Sequence, residues 1–265
     1  MYQEKITILN RDKHPIIGML TLPDKAGSWP LVIGCHGLYG TKERFATHWG
    51  ATWDLLHAEG YGTFLFDFTN NLGESYGRFE HMTVGQEVSD LEDVLSYFWT
   101  KQYVQKDRIV LFGHSLGGMI ELITASSSPH IAAMIAIAPL FHFQAIRNAQ
   151  VKDEGILAWK EKGYTLFFSK TWNQEFKMQY QLYENGISYN MPKIVSRIRS
   201  PLLIIHGDND SSVPINQSYD LIRHLNCPHE LLMVENGDHS MRDPEQQRMI
   251  ANKTLVFLNN HLKKL

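Results

Sequence analysis

The chain has 265 residues, 43% hydrophobic and 20% charged, with a formal net charge of −3. That is the composition of a soluble globular domain with a sizeable core, and without a basic run there is no electrostatic reason to expect a nucleic-acid partner. Its longest apolar run, Ile131 to Phe141, is too short to span a bilayer, and its two cysteines, Cys35 and Cys227, give neither a disulfide framework nor metal spacing.

In chain order, Met1 to Thr7 lacks a signal-peptide core, so a cytoplasmic location is the expectation. Lys5 to Leu9 and Ile16 to Leu22 read as an antiparallel pair. Leu31 to Cys35 is a buried strand feeding the His36-Gly37 turn. Arg44 to Glu59 has helical apolar spacing at Phe45, Trp49, Trp53 and Leu56, and stops at Gly60. Thr63 to Phe68 is the next strand, and Val84 to Trp99 a helix with Val88, Leu91, Leu95 and Phe98 inward. Arg108 to Phe112 is apolar and β-branched, and Met119 to Ala125 is a helix. Between them stand Gly113-His114-Ser115-Leu116-Gly117 and Gly118. Strand, sharp turn and helix around G-x-S-x-G make a nucleophile elbow, which lifts a hydroxyl onto a helix N-terminus. A phosphate-binding reading of the glycines fails, because no Lys-Ser/Thr follows them.

Ile131 to Ala138 reads as a strand, Pro201 to Gly207 as another, Glu230 to Val234 as the last, and Pro244 to Leu262 as a closing helix. Strands alternating with helices predict a mostly parallel, doubly wound α/β sheet. Residues 139–200 interrupt the alternation, with helices expected over Asp153 to Lys162 and Gln174 to Tyr183. They are rich in aromatic residues against 11% for the whole chain.

A serine needs a base, and the base an orienting acid. After the strand ending at Gly207 come Asp208 and Asp210, and after the strand ending at Val234 comes His239. Spacing alone does not choose between the two aspartates. A metal site at His206, Asp208, Asp210 and His239 would leave the elbow unexplained, so no metal and no cofactor is expected.

The motifs together resemble the α/β-hydrolases. They are His36-Gly37-Leu38-Tyr39-Gly40-Thr41-Lys42-Glu43, the elbow, His206-Gly207-Asp208-Asn209-Asp210-Ser211-Ser212-Val213-Pro214, and Gly237-Asp238-His239. With Gly73 to Thr83 they are most similar to small carboxylesterases of the cinnamoyl and feruloyl type. One departure is the stretch Asp67 to Ser75, which is one residue longer than the usual D-x-R-G-x-G-x-S and lacks its arginine.

The resemblance implies an α/β-hydrolase core over 1–138 and 201–265 with a cap over 139–200. It implies Ser115, His239 and Asp210 as the triad, with Asp210 preferred over Asp208. The oxyanion hole would be the N–H groups of Leu38 and Leu116. The cap rings suggest an acyl pocket of Tyr39, Phe141, Trp159, Phe168 and Trp172. The implied reaction is hydrolysis of a small-molecule ester with a medium or aromatic acyl group. A thioesterase, a C–C bond hydrolase and a non-catalytic ligand-binding protein are the alternatives. The oligomeric state is left open, a homodimer included.

Overall fold

In the computed structural model the described residues are 1–128, 130–144, 153–169 and 172–262. One eight-stranded sheet carries them. Its strands are β1 (Tyr2–Leu9), β2 (Pro15–Leu22), β3 (Trp29–Cys35), β4 (Gly62–Phe66), β5 (Val104–His114), β6 (Ala133–Ile137), β9 (Leu202–Gly207) and β10 (His229–Val234). The spatial order is β1-β2-β4-β3-β5-β6-β9-β10. β1 pairs antiparallel with β2, and β2 antiparallel with β4. From β4 to β10 every pairing is parallel. The chain order reverses beside β3, so crossovers run to both faces, as the sequence predicts.

The central strands are apolar on both faces because both faces are covered. Leu31, Ile33, Ile109, Leu111, Met134 and Ile204 face one core. That core is closed by α3 (Val84–Trp99) and α4 (Leu116–Ala125). Their alternating neighbours Val32, Val110, Phe112, Ile135, Leu203 and Ile205 face the other core. There the cover comes from α1 (Lys42–His48) and α2 (Gly50–Ala58), joined by the closing helix Pro244–His261.

Two sequence expectations need correcting. The single helix over Arg44 to Glu59 is two helices, because Trp49 leaves helical geometry and serves as the C-cap of α1 and the N-cap of α2. The stretch Gln174 to Tyr183 is not one helix. It is strand β8 (Gln174–Gln179), paired antiparallel with β7 (Tyr164–Ser169), followed by α6 (Tyr180–Ile187). Phe176, Tyr180 and Tyr183 satisfy a helical spacing, but Tyr-Thr-Leu-Phe-Phe upstream supplies the aromatic and β-branched partner that favours a hairpin.

Between β6 and β9 the described chain also forms α5 (Asp153–Lys162), where the sequence places it, and α7 (Met191–Val195). This interval leans on the body beside the His36 turn. The Trp172 Nε1–H donates to the Tyr39 carbonyl at 2.8 Å, and the Gly85 N–H to Asn185 Oδ1 at 2.8 Å. Among the described residues no helix is long and apolar enough to cross a membrane.

Candidate active site

Ser115 ends β5 and opens α4 with φ 58° and ψ −117°, a strained backbone for a residue with a side chain. Its N–H donates to the Ile137 carbonyl at 2.9 Å, and its carbonyl accepts from Leu140 at 3.1 Å and Met119 at 3.2 Å. The turn is therefore over-determined by β6 and α4. Glycine is required on either side of it. A Cβ on Gly117 would strike the Cys35 carbonyl, and one on Gly113 would meet the Gly117 carbonyl oxygen at 2.6 Å.

His239 lies in the loop after β10. Its Nε2 is 3.0 Å from Ser115 Oγ, and its Nδ1 is 2.6 Å from Asp210 Oδ2. Those partners fix the tautomer: Nδ1–H donates to the carboxylate and Nε2 accepts from the hydroxyl. Asp210 is buried in the loop after β9. Its Oδ1 accepts from the Ser212 and Val213 N–H groups, each at 2.8 Å. Burial pushes its carboxyl up, but hydrogen bonds from His206 and His239 outweigh burial and hold it well below the usual carboxylate range. Asp208 is exposed, and only its backbone is held, by N–H donation to Val234 at 3.1 Å.

Two further histidines hold these loops. His206 is fully buried; its Nε2 donates to the Val213 carbonyl at 2.7 Å and its Nδ1 meets Ser218 Oγ at 2.6 Å. It thereby shapes the Asp210 turn. His114 Nε2 donates to the His239 carbonyl at 2.9 Å, and burial pushes the pKa of its imidazole well below the usual range. The sequence places His114 in a motif turn and His206 at the end of its strand, and gives no sign of these partners.

Leu38 and Leu116 flank the serine from two sides. Neither N–H donates to a protein acceptor among the described residues. Leu38 sits in a tight turn closed by Gly40 N–H to the Gly37 carbonyl at 2.9 Å, and Tyr39 beside it has φ 61°. The turn is anchored from behind. Lys42 Nζ lies 2.7 Å from Asp67, 2.6 Å from Glu74 and 2.6 Å from Glu43. These three carboxylates cluster closely enough to suggest a cation site, and the cation among them is the Lys42 ammonium. The longer Asp67 to Ser75 loop is pinned by the same network, with the Glu74 N–H donating to Asp67 Oδ2 at 2.9 Å.

A cavity of about 710 Å³ opens on Ser115 and His239. One wall is the His36 turn and α1, including Leu38, Tyr39, Arg44 and His48. The other is Ser240, Arg242 and Gln247. Of the five rings read from sequence as pocket walls, Tyr39 lines this cavity and the other four do not. Phe141 and Trp159 are core residues, at 0% and 1% exposure, and Trp159 donates its Nε1–H to the Met178 carbonyl at 3.0 Å. Phe168 is 58% exposed on the outer face of β7. Trp172 is spent on the Tyr39 carbonyl. Aromatic enrichment marked a packed interval, and it could not separate rings that pack from rings that line. Sequence reading missed Arg44, His48, Arg242 and Gln247, because nothing in their spacing marks them.

The acylamino-acid-releasing enzyme of Rattus norvegicus is 21% identical over 269 residues, covering 98% of this chain and 35% of its own length. A mitochondrial palmitoyl-protein thioesterase of Bos taurus is 23% identical over 195 residues, covering 70% of this chain and 63% of its own. The chain thus spans about a third of the length of the acylamino-acid-releasing enzymes it matches. Among solved structures, ferulic-acid-bound Est1E of Butyrivibrio proteoclasticus superposes with a TM-score of 0.83 at 21% identity, over 98% of this chain and 100% of that one. That likeness establishes an α/β-hydrolase fold. Residues 50–265 match the prolyl oligopeptidase family, and the chain belongs to that family.

Proposed function

We propose that this chain is a serine hydrolase that cleaves carboxylic esters by two-step acyl transfer, with Ser115 as nucleophile, His239 as base and Asp210 as orienting acid. The observation that carries the reading is the continuous hydrogen-bond chain from Ser115 Oγ through His239 to the buried Asp210 carboxylate, at 3.0 and 2.6 Å. Nucleophile, base and orienting group within hydrogen-bond reach are what such catalysis needs. Ser115 Oγ attacks the carbonyl carbon, and its proton passes to His239 Nε2. The tetrahedral oxyanion is held by the N–H groups of Leu38 and Leu116, which have no other acceptor among the described residues. His239 returns the proton to the leaving oxygen, the C–O bond breaks, and an acyl-Ser115 ester remains. Water activated by His239 then releases the acid and restores the serine.

Residues 139–200 act as a cap in this reading, through the Trp172 bond to Tyr39. Tyr39 stacks on Phe79 at 5.0 Å and lies tilted against Phe176 at 5.2 Å, an aromatic cluster at the cavity edge that supports an acyl group with flat or medium apolar character. Amide cleavage is the second reading, and membership of a peptidase family favours it. Initial rates on p-nitrophenyl esters of increasing chain length, methyl hydroxycinnamates and matched anilides decide between them. Ester kcat/KM values exceeding those of the anilides by several orders of magnitude support the esterase. Comparable values make the chain a peptidase, and no turnover with no covalent labelling makes it a binding protein.

A further inference from the structure

We propose that the cavity beside Ser115 receives the leaving group, and that Arg44 and Arg242 bind a carboxylate carried on it. The inference rests on the hydrolase reading. The leaving atom must reach His239 Nε2 to take up its proton, so the leaving group lies on the His239 side of the scissile carbonyl. The cavity extends there, between α1 and the loop that continues from His239 through Ser240 to Arg242. Each of its two walls contributes one arginine, Arg44 from α1 and Arg242 from the loop.

Both arginines are exposed, and neither meets a carboxylate among the described residues. The one acid in the lining, Glu43, is held by Lys42 at 2.6 Å. Arg44 is already ordered: its guanidinium lies 4.9 Å from the centre of the Trp172 ring. Stacking uses the face of a guanidinium and leaves its edge N–H groups for a planar acceptor. Arg242 is close enough to His48 for its charge to add to burial in lowering the pKa of that imidazole. Among the described residues neither arginine is committed to an ion pair, which leaves both guanidinium groups available to a carboxylate. That carboxylate could belong to a hydroxy acid, released from an ester, or to an amino acid, released from an amide.

The test compares O-butyrylglycolate with O-butyrylglycolamide, and N-butyrylglycine with N-butyrylglycinamide. Within each pair a neutral carboxamide of similar shape replaces the carboxylate on the leaving group. The expected result is a kcat/KM about tenfold higher for the charged ester, shrinking as salt is raised from about 50 to 500 mM. Arg44→Gln and Arg242→Gln should each reduce that ratio, and the double variant should bring it near one. Preference confined to the ester pair assigns a hydroxy acid. The same preference in the amide pair assigns an amino acid. Calorimetric titration with glutarate gives a readout independent of turnover, with binding expected for the wild-type chain and absent in the double variant. Turnover of both esters with a ratio near one overturns this inference and leaves the hydrolase reading standing. No turnover of any compound, together with glutarate binding, overturns the hydrolase reading and the leaving-group role with it, and leaves only a carboxylate-binding cavity. No turnover and no glutarate binding overturn both.

Discussion

At the scale of single residues, the choice between Asp208 and Asp210 shows how much a motif carries. Spacing admitted both, and the family register pointed to Asp210. The coordinates supply a physical distinction: Asp210 is buried, accepts two backbone N–H bonds and faces His239, whereas Asp208 is exposed. Asp210→Asn should lower kcat by about 10⁴-fold, because an amide favours the wrong imidazole tautomer. Asp208→Asn should cost less than about tenfold. Steady-state rates on one activated ester check the pair, and the reverse ranking would remove Asp210 from the triad. Gly117 gives a stability counterpart. A methyl there meets backbone, not a side chain that can swing away, so Gly117→Ala should cost about 3 kcal/mol in a denaturant titration. The proposed triad and the elbow could be picked out in the sequence because their residue types are chemically obligatory. Arg44 and Arg242 could not, because a surface arginine has the same sequence signature wherever it points.

At the scale of elements, α3 and α4 pack together and each carries a fully buried acid. Glu87 and Glu121 are both fully buried. Burial pushes the Glu87 carboxyl up to about 8, against a single hydrogen bond from Asn71 at 2.7 Å, and pushes Glu121 well above its ordinary range. The folded state therefore binds protons that the unfolded chain releases near pH 4.3. Between that pH and about 8, stability falls as pH rises, since the native state holds more protons than the unfolded one. Glu87→Gln should flatten the slope, raising the melting temperature at pH 8 by more than at pH 5. An equal change at both pH values would mean that Glu87 is ionised in the fold. The sequence showed α3 as an amphipathic helix and could not show this, because an acid placed among inward positions reads as an outward one until a partner helix covers it. The β7–β8 hairpin escaped for a related reason: aromatic spacing there fits a helix, and pairing with Tyr164–Ser169 decides otherwise.

At the scale of the whole molecule, the parallel sheet brings distant segments to one edge. Ser115 follows β5, Asp210 follows β9 and His239 follows β10, so Ser115 and His239, 124 residues apart, meet with Asp210 at the C-terminal edge of one sheet. This much of the architecture was readable, since buried strands alternating with amphipathic helices leave few topologies. How the 139–200 interval sits on that edge was not readable, because its rings serve packing, anchoring and exposure alike. Trp172 and Phe168 separate those roles. Trp172→Ala frees the Tyr39 carbonyl and should lower kcat/KM for a hydroxycinnamate ester about tenfold relative to acetate, the scale of one lost hydrogen bond and its packing. Phe168→Ala, on an exposed ring, should change that ratio less than twofold. Equal losses on both esters would make the interval scaffolding alone. The central claim is that Ser115 is the nucleophile, and covalent labelling tests it most directly. A fluorophosphonate probe should add to the peptide containing Ser115, and Ser115→Ala should abolish both labelling and ester turnover. Labelling at another serine, or turnover by Ser115→Ala within about tenfold of wild type, would contradict the account.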